Sequence, residues 1–486
     1  MTKILDTMEQ LLNYTTTDNG AITNSSSLSK CVDFFAAGGT IRSQSDEHII
    51  NLFKQAFDEN NTNAVRLAYM FRDIRGGQGQ RRPFRIQLNW LANNYPEKTK
   101  DILSLVPEYG RWDDLYSAFD TPCQDHALYI INKQINDDLT NMKDNKPVSL
   151  LGKWLCRINT SSKETVRKAH IIRKYLELDN KSYRQLCSSL NAYLNTTEVL
   201  MSSNRWSDIN YEKLPSQCLF KHTKAFNRRD NERYQNYISL AQQGKVKVNA
   251  ATLYPHQIIG KILDSNIAVE EADMLWDNLT DFDVDSNAIV VADVSGSMMG
   301  LPLNVCISLA LYISERAIGP YHNKFITFSR EPELVNVTGN NIVEKTRNLS
   351  NAKWDMNTNL KSVFDLVLNA AIKSNAKPEE MVDKLYIISD MKFDAISETD
   401  SSNIESFYET VKKEYENNGY KIPQLVFWNV NASVTNFPVI KNTENTCMIS
   451  GFSPSILKYL NMDVIPSPEV MMMEVINSPR YSNINF

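Results

Sequence analysis

The sequence predicts an α-helical N-terminal region followed by a doubly wound α/β unit. Up to about residue 262 the apolar residues recur at helical spacing, with few convincing strands. Beyond that point short apolar runs alternate with helical segments, the pattern of a sheet covered by helices on both faces. The first of those runs, Ile289–Asp293, leads straight into a loop reading Asp-x-Ser-x-Ser.

Composition sets the outer bounds. At 486 residues, with 42% apolar and 22% charged residues, the chain can bury more than one core. No run has the apolar length of a membrane span. The start, MTKILDTMEQLLNY, mixes acids and polar residues instead of a secretory core, which implies a cytoplasmic protein. Seven scattered cysteines without C-x-x-C spacing imply reduced thiols, not disulfides or zinc. The formal charge is −5, but its distribution is uneven: residues 141–260 carry 20 Lys and Arg against 9 Asp and Glu, and residues 261–285 carry 1 against 8. A local basic surface can attract a polyanion despite a negative total.

The helical region reads element by element. Asn61 or Thr62 can cap a helix whose Leu67, Met70, Phe71 and Ile74 share a face and which stops at Gly76. Pro83 suits the first turn of the next, with Phe84, Leu88 and Leu91 aligned. Further helical patterns lie near 46–57, 124–135, 162–178, 183–194 and 230–242, which together suggest a stack of helical repeats. The expected divisions are an extension over 1–26, a helical domain over 27–262, an acidic linker or connecting helix over 263–286, the α/β domain over 287–466 and a tail over 467–486 that packs back onto a domain.

In the α/β domain, strands are expected near 287–293, 323–328, 384–389, 423–429 and 446–450, with helices near 302–317, 359–373, 402–418 and 454–460. Open α/β sheets place ligands at the carboxyl ends of their strands. There, Asp293, Ser295 and Ser297 offer one carboxylate and two hydroxyls, the donors that Mg²⁺ or another hard divalent cation prefers. Thr358 precedes the apolar-periodic run from Leu360 to Ala371, and Asp390 ends the second apolar strand, KLYIISD. If the two strands are neighbours, Asp390 lies beside Asp293. Read singly, such residues are ordinary turn and cap residues.

These three loops, in this order, resemble a von Willebrand factor A domain with a metal-ion-dependent adhesion site. The resemblance implies that Asp293, Ser295, Ser297, Thr358 and Asp390 hold Mg²⁺, the aspartates largely through water. A vacant coordination position would then accept a carboxylate or other oxygen from a partner.

Two basic elements stand upstream. Arg75, Arg81, Arg82 and Arg85 surround a glycine-rich turn that leads to a helix start, a combination able to cradle phosphate. No Gly-Lys-Ser/Thr follows, so it is not a nucleotide P-loop. Lys163, Arg167 and Lys174 form one helical stripe; Lys221, Lys224, Arg228, Arg229 and Arg233 share a segment with Phe220, Phe226, Tyr234 and Tyr237. Cations that track phosphates and aromatics that stack bases are the means of binding single-stranded RNA. The same pattern arises when the aromatics are core and the charges solvate the outer face.

The Arg-Gly-Gly-x-Gly-x-Arg turn (Arg75 to Arg81), the W-D-D-L segment (Trp112 to Leu115) and the C-terminal A-type domain together resemble the Ro autoantigen (TROVE) superfamily. Similarity is closer to its bacterial, plant and phage relatives, through R-W-S-D-I (Arg205 to Ile209), L-P-S (Leu214 to Ser216), R-R-D-x-E-R (Arg228 to Arg233) and Y-P-H (Tyr254 to His256). It spans roughly Ser27 to Leu460. The resemblance implies HEAT-like helical repeats arranged as a ring closed by the A domain, with small structured RNAs bound outside and single-stranded ends in the hole. The expected function is therefore non-catalytic RNA binding, with a separate Mg²⁺-dependent site for a protein partner. The alternative is an adaptor whose basic surface meets an acidic protein. No H-E-x-x-H or dense histidine pattern points to an enzyme.

Overall fold

The structure, a computed structural model, describes residues 3–284, 287–328, 331–350, 359–394, 407–431 and 436–486. It is α plus α/β: helices dominate the N-terminal part, and a mixed six-stranded sheet flanked by helices forms the C-terminal part. No helix is long and apolar enough to cross a membrane among the described residues.

A two-stranded antiparallel hairpin, β1 (Tyr14–Thr16) and β2 (Ile22–Asn24), lies near the N-terminus. The large sheet contains β3 (Ala288–Asp293), β4 (Lys324–Phe328), β5 (Leu334–Asn336), β6 (Lys384–Ser389), β7 (Gln424–Asn429) and β8 (Thr446–Ser450), in the spatial order β5-β4-β3-β6-β7-β8. All neighbours are parallel except β5, an antiparallel edge. Every residue of β3, β6 and β8 is buried, as the near-continuous apolar runs of a doubly covered parallel sheet require. From β3 the chain steps outward to β4 on one side, then returns to place β6 on the other. The order therefore reverses between β3 and β6, and a ligand crevice is expected at their carboxyl ends.

The strands anticipated from the apolar runs coincide with β3, β4, β6, β7 and β8 to within one residue. Three-residue strands carry too short an alternation to be read, which explains why β1, β2 and β5 were not anticipated. Two helices flank the sheet, and the second follows its expected face. Leu301–Arg316 is buried continuously from Val305 to Ser314. Leu360–Ser374 buries Val363, Phe364, Val367, Leu368 and Ala371, and Asn359 caps it by accepting from Ser362 N.

The chain divides into two compact units, each built from separate stretches of sequence. One comprises Met1–Leu67, Gly76–Gln78 and Ala250–Asn483; the other comprises Ala68–Arg75, Gly79–Asn249 and Ile484–Phe486. In the first unit the helix Lys30–Ala37, capped by Ser29, is almost wholly buried, and Gly39 N donates to Ser450 Oγ at the end of β8 at 2.8 Å. The N-terminal segment thus belongs to the sheet's own core. Within the acidic stretch, read as a linker or connecting helix, the helix Val269–Asp277 buries Ala272, Met274, Leu275 and Trp276, and the Trp276 indole donates to Glu315 at 2.7 Å. The C-terminal helix Pro468–Ile476 buries Met471, Met472, Val475 and Ile476 in this same unit.

Candidate functional site

The carboxyl ends of β3 and β6 meet where the strand order reverses. Asp293 is fully buried at the end of β3, and both its oxygens are occupied. Oδ1 accepts from Ser295 N at 2.9 Å and Oδ2 accepts from Ser389 Oγ at 2.6 Å. The loop then turns so that Ser295 Oγ and Ser297 Oγ lie 3.1 Å apart, the first buried and the second exposed. Asp390 follows β6 and is 1% exposed; its Oδ1 accepts from Lys392 N at 3.3 Å, while Oδ2 is buried with no hydrogen-bond partner among the described residues. Met391, next in the chain, has φ +64, a left-handed conformation that costs a side-chain-bearing residue free energy and concentrates strain in this loop.

Burial pushes the Asp293 carboxyl up to about 6, and the Asp390 charge adds to that, while Ser389 and Ser295 pull it down by hydrogen bonding. Asp390 is likewise raised, first by burial, with Ser297 and Lys392 opposing and Asp18 reinforcing. Two buried carboxyls and two hydroxyls around an unmet acceptor are a donor set that a hard cation could occupy, because its charge would offset the desolvation of both acids. Asp293, Ser295, Ser297 and Asp390 are thus brought to one strand edge. Thr358 lies outside the described residues.

Several supporting residues carried no signal in the sequence. Ser389 binds Asp293 and also accepts from Met391 N at 3.0 Å, so one hydroxyl ties both acidic loops together. Asn431 Nδ2 donates to Ser297 O at 3.4 Å, and Asn429 Oδ1 accepts from Asn431 N at 3.0 Å. The N-terminal hairpin braces the Asp390 loop: Thr17 Oγ1 donates to Phe393 O at 2.5 Å, Asn19 Nδ2 donates to Lys392 O at 2.8 Å, and Asp18 pairs with Lys392 Nζ at 2.6 Å.

In the helical unit the twelve basic candidates divide into two groups. Arg85 is committed to Asp114 and Asp113 at 2.6 and 2.7 Å, and Arg75 donates to Glu108 O. Arg167 forms a fork on Asp120 at 2.7 and 2.8 Å and also binds Glu164. Arg233 binds Asp230, Trp206 O and Ile209 O. Arg75, Arg167 and Arg233 are exposed even so, as are Arg81, Arg82, Lys163, Lys174, Lys221, Lys224, Arg228 and Arg229. Partial burial and the neighbouring guanidiniums of Arg111 and Arg85 lower the Arg81 pKa, a like-charge crowding that a bound anion would relieve. The aromatics do not line a surface. Phe226 and Tyr234 are fully buried, Phe220 and Tyr237 nearly so, and Tyr211, Phe226, Tyr234 and Tyr237 pack ring to ring at 5.2–6.4 Å. They are core, and base stacking on them is excluded in this conformation.

Fold and site together define an α plus α/β protein with an acidic strand edge in one compact unit and exposed cations on several helices of the other. The chain belongs to the family of the domain of unknown function DUF2828, whose model matches residues 17–111 and 133–287; the domain of unknown function DUF7788 matches residues 287–478. An uncharacterized protein of Acanthamoeba polyphaga mimivirus is 32% identical over 513 aligned residues, covering 96% of this chain and 88% of its own.

Proposed function

We propose that this is a non-catalytic RNA-binding protein of Ro type, whose HEAT-like helical unit engages RNA and whose α/β unit, of von Willebrand factor A type, holds Mg²⁺ as a docking point for a partner's carboxylate. One observation carries the reading: the two compact units have opposite charge. The helical unit has 29 Lys and Arg against 19 Asp and Glu, a balance of +10, whereas the sheet unit has 23 against 38, a balance of −15. A polyanion is drawn to the first and a cation to the second. Because Phe220, Phe226, Tyr234 and Tyr237 are buried, these rings leave recognition to phosphate contacts by Arg81, Arg82, Lys163, Lys174, Lys221, Lys224, Arg228 and Arg229. Filter binding of structured and single-stranded RNA by the full chain tests this. Affinity should fall steeply with salt, and Arg228→Glu with Arg229→Glu should weaken it further; absence of binding at low salt overturns the reading.

A second reading is favoured by the engagement of Arg85, Arg167 and Arg233 with carboxylates of this chain. An adaptor would use the same face for acidic proteins and the metal loop for another partner. Pull-downs with and without chelator, using Asp293→Ala, separate the two: the adaptor loses a protein partner while RNA affinity is unchanged.

A further inference from the structure

A second cluster of metal-ligating side chains lies in the helical unit, away from the strand edge. Cys218 and His222 are four residues apart on the helix Ser216–Arg229, so they project from one face. Glu198 reaches the same place from the helix Thr197–Ser202. One ligand atom from each of the three lies within 4.8 Å of the others. Ligands around a tetrahedral Zn²⁺, at about 2.0–2.3 Å from the ion, are about 3.3–3.8 Å apart. Closing from at most 4.8 Å to that spacing needs a contraction of no more than about 1–1.5 Å, within reach of an exposed glutamate side chain and a half-exposed histidine ring.

We propose that Glu198, Cys218 and His222 form a site for a borderline divalent transition ion of the Zn²⁺ class, leaving a fourth position for water. The donor set decides the class. Sulfur and imidazole nitrogen favour such ions over Mg²⁺ and Ca²⁺, so this site differs in chemistry from the all-oxygen loop at β3. Thiolate and carboxylate together neutralise a dication. The ion would join the helix Thr197–Ser202 to the helix Ser216–Arg229, which carries the exposed cations Lys221, Lys224, Arg228 and Arg229. Lys153 is the competing cation: its ammonium sits 2.6 Å from Glu198 Oε1. Metal binding must either displace it or use the other carboxylate oxygen. The lysine thus tunes affinity without being a ligand.

Titration of the full-length protein with Co²⁺, in excess Mg²⁺ to saturate the oxygen loop, tests the assignment by absorption. The expected result is a thiolate-to-cobalt charge-transfer band that Zn²⁺ abolishes by displacement. Cys218→Ser should remove the band, His222→Ala should weaken it, and Asp293→Ala should leave it intact. Lys153→Met, which removes a like charge near the ion, should tighten Co²⁺ binding on the order of tenfold. It reports on the site even if a ligand variant fails to fold. A missing band in the wild-type protein, a band unchanged by Cys218→Ser, or Co²⁺ affinity unaltered by Lys153→Met each overturns the proposal.

Discussion

Ser389 Oγ donates to Asp293 Oδ2 at 2.6 Å across the join between β6 and β3. The parallel register sets Ala292 beside Ile388, so Asp293 and Ser389 end their strands side by side at the reversal of strand order. Removing the hydroxyl leaves a buried carboxylate oxygen without its donor. Ser389→Ala should therefore destabilise the fold by about 1–2 kcal/mol and, in the proposed Mg²⁺ site, lower the ion's affinity about tenfold. Calorimetric titration with Mg²⁺ and urea unfolding check the two parts separately.

Asp293 also makes stability depend on pH, and would link the proposed Mg²⁺ to it. Burial raises its folded pKa to about 6, above the value of about 3.9 expected when unfolded. Between those values the folded state holds the extra proton. Its contribution to stability is complete below about pH 4 and is lost as pH rises through about 6. The metal-free protein should accordingly weaken by on the order of 2–3 kcal/mol over that interval from this group, and Asp293→Asn should remove the loss. In the proposed site Mg²⁺ would compete with the proton, so its stabilisation of the wild type should grow with pH and be absent in Asp293→Asn. Melting temperatures with Mg²⁺ and with chelator, taken across this range, measure both effects.

Much of this edge was legible because a parallel strand buried on both faces writes itself as an apolar run, and the run's last residue marks the carboxyl end. That logic located Asp293 and Asp390. Ser389 is different: whether a strand-end serine faces the neighbouring loop depends on register, which no local pattern states. The bracing by Thr17, Asp18 and Asn19 links residues more than 370 positions from their partners, beyond any local period. In the helical unit, Phe226 and Tyr234 read ambiguously because a buried helix face and a stacking surface have the same spacing. The pair C-L-F-K-H, Cys218 to His222, was a usable sign once that segment is recognised as helical. Glu198 could be joined to it only in three dimensions.

The helical unit contains a buried ion pair with a defined cost of disruption. Arg72 donates to Asp114 through Nε at 2.9 Å and Nη2 at 2.6 Å, and Arg111 N and Arg85 Nε complete the carboxylate. Both side chains of the pair are at most 2% exposed. Arg72→Met leaves Asp114 with less compensation for its desolvation and should destabilise the unit by about 3–5 kcal/mol. Gly110 reports on the same contact from another direction, since a Cβ there would press into Asp114 Oδ2 and Arg72 Nε. Gly110→Ala should be destabilising as well, and the double variant should lose less than the sum of the two, as a double-mutant cycle in urea would show.

Acid sensitivity of the sheet unit should trace in part to His256. Its ring is 8% exposed, lies 5.3 Å from Phe452 and has Nδ1 buried without a hydrogen-bond partner among the described residues. Burial, reinforced by the Arg42 charge, pushes its pKa down to about 3, against about 6.5 when unfolded. Between those values the unfolded chain binds the extra proton, so this group's contribution to stability is present above about pH 6.5 and is lost as pH falls toward 3. The slope approaches about 1.4 kcal/mol per pH unit from a single proton. His256→Leu keeps an apolar side chain against Phe452 and removes the titration. Its urea midpoint should vary less steeply than the wild type between about pH 4 and 6. Equal slopes in the two proteins would mean that the ring is protonated in the folded state and that Arg42 does not repel it.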